Sequence, residues 1–143
     1  MLDARARRAV YFRAMIDLKE VRWGNTLLQK QQGRIAPVSC GPEQMALLAN
    51  GKAADFFPVV LKAEVLEGAG FSENKDYALY PQAREFKRVL PVKGKEHHEL
   101  VAYVKSNGEC LAWYNVNGLT ASNAVRQLHQ LQNLHYTLTG EEL

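Results

Sequence analysis

The sequence predicts an α+β protein, with a helical N-terminal half, an antiparallel sheet of three to four strands and a C-terminal helix. Apolar residues recur at helical spacing over residues 3–22. From Asp76 onward, aromatic and β-branched residues dominate runs that fit a pleated surface. Asn107-Gly108 is the strongest short hairpin signal in the chain. Together these patterns predict that, apart from the C-terminal helix, the helices precede the strands along the chain.

Length and composition indicate one domain. The chain has 143 residues, of which 47% are hydrophobic and 23% are charged, as in ordinary globular proteins. We divide it into an N-terminal helical extension (1–33), a core (34–118) and a C-terminal helix with its tail (119–143). Two cysteines are too few for a disulfide framework, and no apolar run reaches the roughly 20 residues of a membrane helix. These features, with no apolar signal segment in MLDARARRAVYF, predict a cytoplasmic protein without a membrane partner.

The first half contains three predicted helices and one extended segment. The helix over 3–22 also alternates tolerably as a strand, and TLLQKQQG is interpreted as its short continuation. RIAPV (34–38) is predicted to be extended, because a residue before proline avoids the helical region. In SCGPEQMALLANG, Pro42 suits the first helical position and Asn50-Gly51 suits a C-terminal stop. A further helix is predicted in ADFFPVVLKAEVLEGAG, ending near Gly68 to Gly70, with Pro58 constraining where it can begin.

The second half contains the predicted strands. They cover DYALYP, EFKRVLPV, HELVAYVK and CLAWYNV. A last helix is predicted over about Ala121–Leu134, with Thr120 or Ser122 as its cap.

A two-residue turn at Asn107-Gly108 fixes the expected register of the central hairpin. Leu100 is then opposite Asn115. His98 and Asn115 share one face as diagonal neighbours, about 7–8 Å apart by backbone geometry. Cys110 points to the other face and is predicted to be a core residue.

Cys40 is predicted to lie at the N-terminus of the helix that begins near Pro42. Unpaired backbone N–H groups and the helix dipole at such a position favour a thiolate. A histidine and an amide residue follow on neighbouring predicted strands. The chain therefore offers candidates for a nucleophile, a general base and an orienter, in the order Cys40, His98 and Asn115.

The same residues carry a family resemblance. CGPEQMALL resembles the nucleophile helix of papain-like cysteine peptidases, nearest the bacteriocin-processing peptidases that cleave after a double glycine. HELVAYVKSNGECLAWYN is similar to the histidine strand, turn and orienter strand of that family. Over about residues 34–118, this motif-level resemblance implies a papain-like fold, with Cys40 as nucleophile, His98 as general base and Asn115 as orienter. It implies hydrolysis or acyl transfer at a peptide or amide bond, without a cofactor.

The residue that completes the oxyanion hole departs from the family pattern. The family has a glutamine about six residues before the cysteine, where this chain has Arg34. Gln31 and Gln32 are the candidates for that role.

A simpler interpretation accompanies each of these residues. Cys40 is then a small buried hydrophobic residue, His98 a polar residue that leaves a turn, and Asn115 a residue at a strand end. On this interpretation the chain is a non-catalytic module that binds a peptide or protein on the same fold. No metal site is predicted, because adjacent His97 and His98 point to opposite faces and no metal-ligand motif is present.

Association with nucleic acid is the third hypothesis. Residues 1–34 contain eight basic and three acidic side chains, whereas the whole chain has a net charge of +3. The phosphate contacts are assigned to a basic N-terminal helix, through Arg5, Arg7, Arg8 and Arg13. The predicted hairpin lacks the interleaved Lys and Arg that a sheet lying on a duplex would need.

Overall fold

The computed structural model describes residues 16–90 and 97–143. These residues form strands and α-helices in the following order: β1 (Thr26–Gln31), β2 (Arg34–Ser39), α1 (Pro42–Ala49), β3 (Phe56–Pro58), α2 (Ala63–Gly68), β4 (Ser72–Asn74), β5 (Ala83–Val89), β6 (His98–Lys105), β7 (Cys110–Val116), β8 (Leu119–Thr120) and α3 (Leu128–Thr139). The chain divides into two compact units, Met1–Val59 and Val60–Leu143, and this boundary lies inside the predicted 34–118 core. Each unit has its own antiparallel sheet, which confirms the α+β class.

The first sheet departs from the predicted helical N-terminal half. TLLQKQQG, which was predicted to be helical, forms β1 and the turn after it, whereas RIAPV is extended as predicted. Gln32 and Gly33 join β1 to β2, and both have positive φ, of 50° and 77°, as a type I′ hairpin turn requires. Gly33 adopts this conformation without the steric cost of a β-carbon. The strand order is β2-β1-β3, so β2 lies at an edge.

Two other predicted helices also differ from the structure. Residues 3–15 lie outside the described residues, and residues 16–22 contain a single 3₁₀ turn, Leu18–Glu20. The helix predicted to end near Gly68 to Gly70 is the short α2, which does end at Gly68, but the residues Phe56–Pro58 before it form β3. Pro58 limits where the helix can begin, because a proline within a helix lacks the N–H that the helix needs.

α1 confirms the helix predicted after the cysteine. Pro42 is its first residue, and the Gly41 N–H donates to the Gln44 side-chain oxygen at 3.1 Å. Asn50 caps the C-terminus, and Gly51 follows with φ of 81°. Met45, Leu47 and Leu48 of α1 join the core cluster of the first unit, which also contains Ile16, Leu27, Cys40 and Phe56.

The second sheet is a meander with the strand order β4-β5-β6-β7-β8. β6 and β7 coincide with the predicted strands HELVAYVK and CLAWYNV, but DYALYP consists mainly of turns. α3 begins at Leu128 rather than near Ala121. Ser122 does not cap a helix, because its hydroxyl accepts a hydrogen bond from the Tyr114 N–H at 2.9 Å. The segment before α3 is extended instead, and Val125 pairs with Ala112.

The predicted register of the β6–β7 hairpin is wrong by one residue. The loop has three residues, and the Lys105 N–H donates to the Glu109 carbonyl at 2.8 Å. Gly108 has φ of 88°, whereas Asn107 is not among the residues with positive φ. A three-residue loop that ends in a left-handed glycine is the alternative to a type I′ turn. As a result, Leu100 pairs with Tyr114, and Asn115 pairs with Glu99.

One face of the second sheet carries the core of the second unit. Phe86, Leu100, Ala102 and Ala112 are fully buried on this face. Side chains of α2 and α3 pack against them, including Leu66 and Leu131. Cys110 is buried in the same cluster, which confirms it as a core residue but places it on the face of Leu100 rather than on the opposite face.

The hairpin loop provides a test of the backbone conformation at Gly108. Gly108→Ala is expected to lower the free energy of unfolding by about 1–2 kcal/mol, because a β-carbon is disfavoured in the left-handed conformation. Gly68→Ala is the control, since Gly68 lies in α2, is absent from the residues with positive φ and has open space around an added β-carbon. That change is expected to stabilise the protein by about 0.5–1 kcal/mol. Equal urea midpoints for the two variants would contradict the left-handed conformation of Gly108.

Candidate functional site

Cys40 lies immediately before the helix N-cap, in the core of the first unit. Only 1% of its surface is exposed, and it packs in the cluster that contains Leu27 and Leu48. Its N–H donates to the Asn25 carbonyl at 2.7 Å, and its carbonyl accepts from the Gly24 N–H at 2.8 Å. Burial raises the pKa of the thiol. The surroundings of Cys40 therefore favour a neutral thiol over the thiolate that a nucleophile requires.

His98 and Asn115 lie on opposite faces of the second sheet. His98 pairs with Val116 and therefore shares a face with Leu100 and Tyr114. A hydrogen bond joins His98 Nδ1 and the Tyr114 hydroxyl. The predicted placement of His98 and Asn115 on one face is wrong, because the one-residue change in register moves Asn115 to the other face.

Asn115 belongs instead to an aromatic face of the second sheet. Its side-chain oxygen accepts a hydrogen bond from the Trp113 indole N–H at 2.7 Å. The Trp113 ring meets the Tyr103 ring edge-on at 4.8 Å between centroids, and Tyr77 stacks on Tyr103 at 5.3 Å. Burial and hydrogen bonds with Glu85 and Tyr77 raise the pKa of Tyr103 well above its ordinary value. Asn115 thus orients an indole rather than an imidazole.

Cys40 belongs to the first unit, whereas His98 and Asn115 belong to the second. The approach of the thiol to the imidazole stays a prediction. Arg5, Arg7, Arg8 and Arg13, assigned to nucleic acid, lie outside the described residues.

Gln31 and Gln32 lie at the turn end of the first hairpin. Gln31 pairs with Arg34 at the start of β2, and Cys40 follows the other end of that strand. At about 3.3 Å per residue, the length of β2 separates the two glutamines from Cys40 by roughly 20 Å. An oxyanion donor must lie about 3 Å from the reacting oxygen. The predicted oxyanion role is therefore wrong for this arrangement.

The two glutamines line a groove in the first unit instead. The groove has a volume of about 640 Å³. It lies along one face of the β1–β2 hairpin, since its strand residues fall on alternate positions and pair across the two strands. Its lining residues are Gln29, Gln31, Gln32, Arg34, Ala36 and Val38. Below, we call this feature the hairpin groove.

Gln29 is the buried polar residue of the hairpin groove. Gln29 is 5% exposed, and its Oε1 atom has no hydrogen-bond partner among the residues that the structure describes. Gln29 pairs with Ala36 on β2 and with Phe56 on β3, so it lies at the centre of the sheet. A buried amide oxygen without a partner costs about 1–3 kcal/mol. Gln29 also lines the hairpin groove, where its amide is a candidate to accept a hydrogen bond from a ligand.

Sequence reasoning missed this groove because it identified β1 as helical. The signal that could have found it is the alternation in TLLQKQ, which places Leu27, Gln29 and Gln31 on one strand face. Gly33 before a second extended run is the matching hairpin signal.

Comparisons with known proteins give no relatives for this site. No protein-family model matches the chain, and no curated protein or solved structure matches it significantly. The resemblance to papain-like peptidases stays a prediction from the sequence. Within residues 16–90 and 97–143, no helix has the length and apolar character needed to cross a membrane.

Proposed function

We propose that the protein is a non-catalytic binding module that takes an extended peptide segment of a partner protein into the hairpin groove. The observation that carries this proposal is the buried Gln29 oxygen without a hydrogen-bond partner. Because an unpaired buried acceptor is destabilising, we expect the Gln29 side-chain amide to turn toward the groove on binding and to accept the missing bond from a ligand N–H.

A peptide fits the chemistry of the lining residues. Gln29, Gln31 and Gln32 offer amide groups that can both donate to and accept from a peptide backbone. Ala36 has a small side chain and leaves room between them. The volume of about 640 Å³ falls within the roughly 300–1,000 Å³ of typical ligand sites. An extended segment along the hairpin presents a peptide group about every 3.3 Å.

The β2 edge of the first sheet is less suited to such a ligand. The two-residue turn makes Gln31 and Arg34 a hydrogen-bonded pair, and alternation then makes Leu28 and Pro37 a non-hydrogen-bonded pair. The nitrogen of Pro37 therefore points away from β1, where it has no N–H to offer an added strand. Proline at this position blocks a continuous strand addition. The face of the hairpin remains the better binding surface.

A papain-like hydrolase receives less support from the same residues. Its proposed base and orienter lie on opposite sheet faces, and burial raises the pKa of its proposed nucleophile. A thiol held in its neutral form reacts slowly with a carbonyl. We therefore favour binding over hydrolysis.

Gln29→Met tests the proposal, because methionine is close to glutamine in shape and lacks the amide. A fluorescein-labelled peptide is first selected on the immobilised protein from a random octapeptide library with free termini. We expect the variant to bind this peptide at least about tenfold more weakly, as fluorescence anisotropy would measure. We also expect its free energy of unfolding to rise by about 1–3 kcal/mol, because an unpaired buried acceptor has been removed.

Lys30→Met is the matched control. Lys30 is the exposed neighbour of Gln29 and points to the opposite face of β1. It should keep wild-type affinity for the selected peptide. Failure to select any peptide, or equal affinity of Gln29→Met and wild type, would overturn the proposed groove.

A further inference from the structure

We infer that the hairpin groove recognises the end of a chain: the C-terminal carboxylate of the partner segment binds Arg34 while a nearby peptide N–H donates to Gln29. This inference rests on the proposed function and specifies its ligand.

Charge is the first support for a carboxylate. Arg34 carries the only charge among the six lining residues. Within residues 16–90 and 97–143 it makes no ion pair, although Arg84 and Arg126 of the second unit both do. A guanidinium offers a planar fork of N–H donors that matches the two oxygens of a carboxylate. Among the described residues no carboxylate pairs with Arg34, so its guanidinium can bind an anionic ligand group.

The spacing of Arg34 and Gln29 is the second support. Gln31 pairs with Arg34, and Gln29 is two residues farther along the same face of β1. Diagonal neighbours of this kind are about 7–8 Å apart by backbone geometry. This span corresponds to roughly two residues of an extended peptide. A terminal carboxylate at Arg34 thus leaves the N–H of the preceding residue near the Gln29 side chain.

The same charge excludes the other chain end. A free N-terminal ammonium group near Arg34 would be repelled. We therefore assign the ligand to the C-terminus of the partner protein.

The test compares three forms of the peptide selected on the groove. The first has a free C-terminal carboxylate, the second a C-terminal amide, and the third a C-terminal amide with glutamate as its last residue. Their dissociation constants are measured by fluorescence anisotropy with the full-length protein. We expect the free acid to bind at least about tenfold more tightly than both amides. Arg34→Gln should remove this difference, whereas Lys30→Gln, with the same charge change on the opposite face, should preserve it.

The outcomes separate the inference from the proposed function. Equal affinity of the acid and the plain amide, with binding still lost in Gln29→Met, would overturn carboxylate recognition and leave a peptide groove. If the glutamate-containing amide bound as tightly as the acid, a side-chain carboxylate would be the ligand, and the assignment to a chain end would be wrong. Binding of all three forms independently of Gln29 would overturn both proposals.

Discussion

Alanine in place of Phe86 is expected to lower the free energy of unfolding by about 3–5 kcal/mol. Phe86 has no exposed surface and packs in the cluster that contains Leu100 and Leu131. The guanidinium of Arg84 also lies 5.1 Å from the centroid of its ring. Truncation removes the buried ring and leaves a cavity between the second sheet and its helices. Since a typical domain is stable by about 5–15 kcal/mol, the variant should lose much of its resistance to urea.

Trp113 provides the optical signal for this experiment, because it lies in β7 of the same sheet. A Trp23→Phe background removes the indole of the first unit, which is exposed. Val89→Ala is the control in the same strand, since Val89 is 63% exposed and its truncation should change stability by less than about 0.5 kcal/mol. Similar losses for Phe86→Ala and Val89→Ala would contradict the assignment of the core face.

Both thiols are expected to react with iodoacetamide at least about 100-fold more slowly in the native protein than in urea. Cys40 and Cys110 are 1% and 5% exposed. Burial raises the pKa of both thiols, that of Cys110 to about 11. Relative to a free thiol with a pKa of about 8.5, such a group has roughly 300-fold less thiolate at pH 7.5. Because each pKa is raised, the rates should increase about tenfold per pH unit between pH 7 and 8.

Cys40→Ser and Cys110→Ser allow each thiol to be followed alone by mass spectrometry. His98→Ala should leave the labelling rate of Cys40 unchanged in the Cys110→Ser background. The sequence alone predicts the reverse, namely rapid labelling of Cys40 that depends on His98. Fast, histidine-dependent labelling would favour the peptidase interpretation over the binding module.

Signals carried by a few adjacent residues predicted the ends of α1 and the strands β6 and β7 well. Pro42 and Gly51 fixed the ends of α1, and the β-branched and aromatic runs fixed β6 and β7. The register between β6 and β7 was missed because Asn107-Gly108 is compatible with both a two-residue and a three-residue loop. One residue in that loop moves every side chain of β7 to the other face. The next Asn-Gly pair, Asn117-Gly118, does have positive φ at both residues and joins Val116 to Leu119.

The candidate site was less accessible to prediction than the fold. TLLQKQQG is short and rich in glutamine, which is compatible with helix and strand, so periodicity alone could not decide. Gln29 is buried because β1 lies between β2 and β3. The pairing of β1 with these two strands cannot be inferred from the residues next to Gln29 in the sequence. The helix position of Cys40 was predicted, but its burial depends on Leu27, Leu48 and Phe56 from other elements. The position of Cys40 relative to the helix could therefore be predicted from the sequence. The residues that surround Cys40 and Gln29 in the folded protein could not.

The meander order of the second sheet has a consequence for how this unit folds. Each strand from β4 to β8 pairs with the strand next to it along the chain. Few residues must be closed into a loop before each pairing forms, so the entropic cost of each step is small. Topologies with such local pairings have low contact order and fold faster than sheets joined by long crossovers. We expect the hairpin of β6 and β7 to nucleate the second unit, with α3 docking afterwards through Leu131.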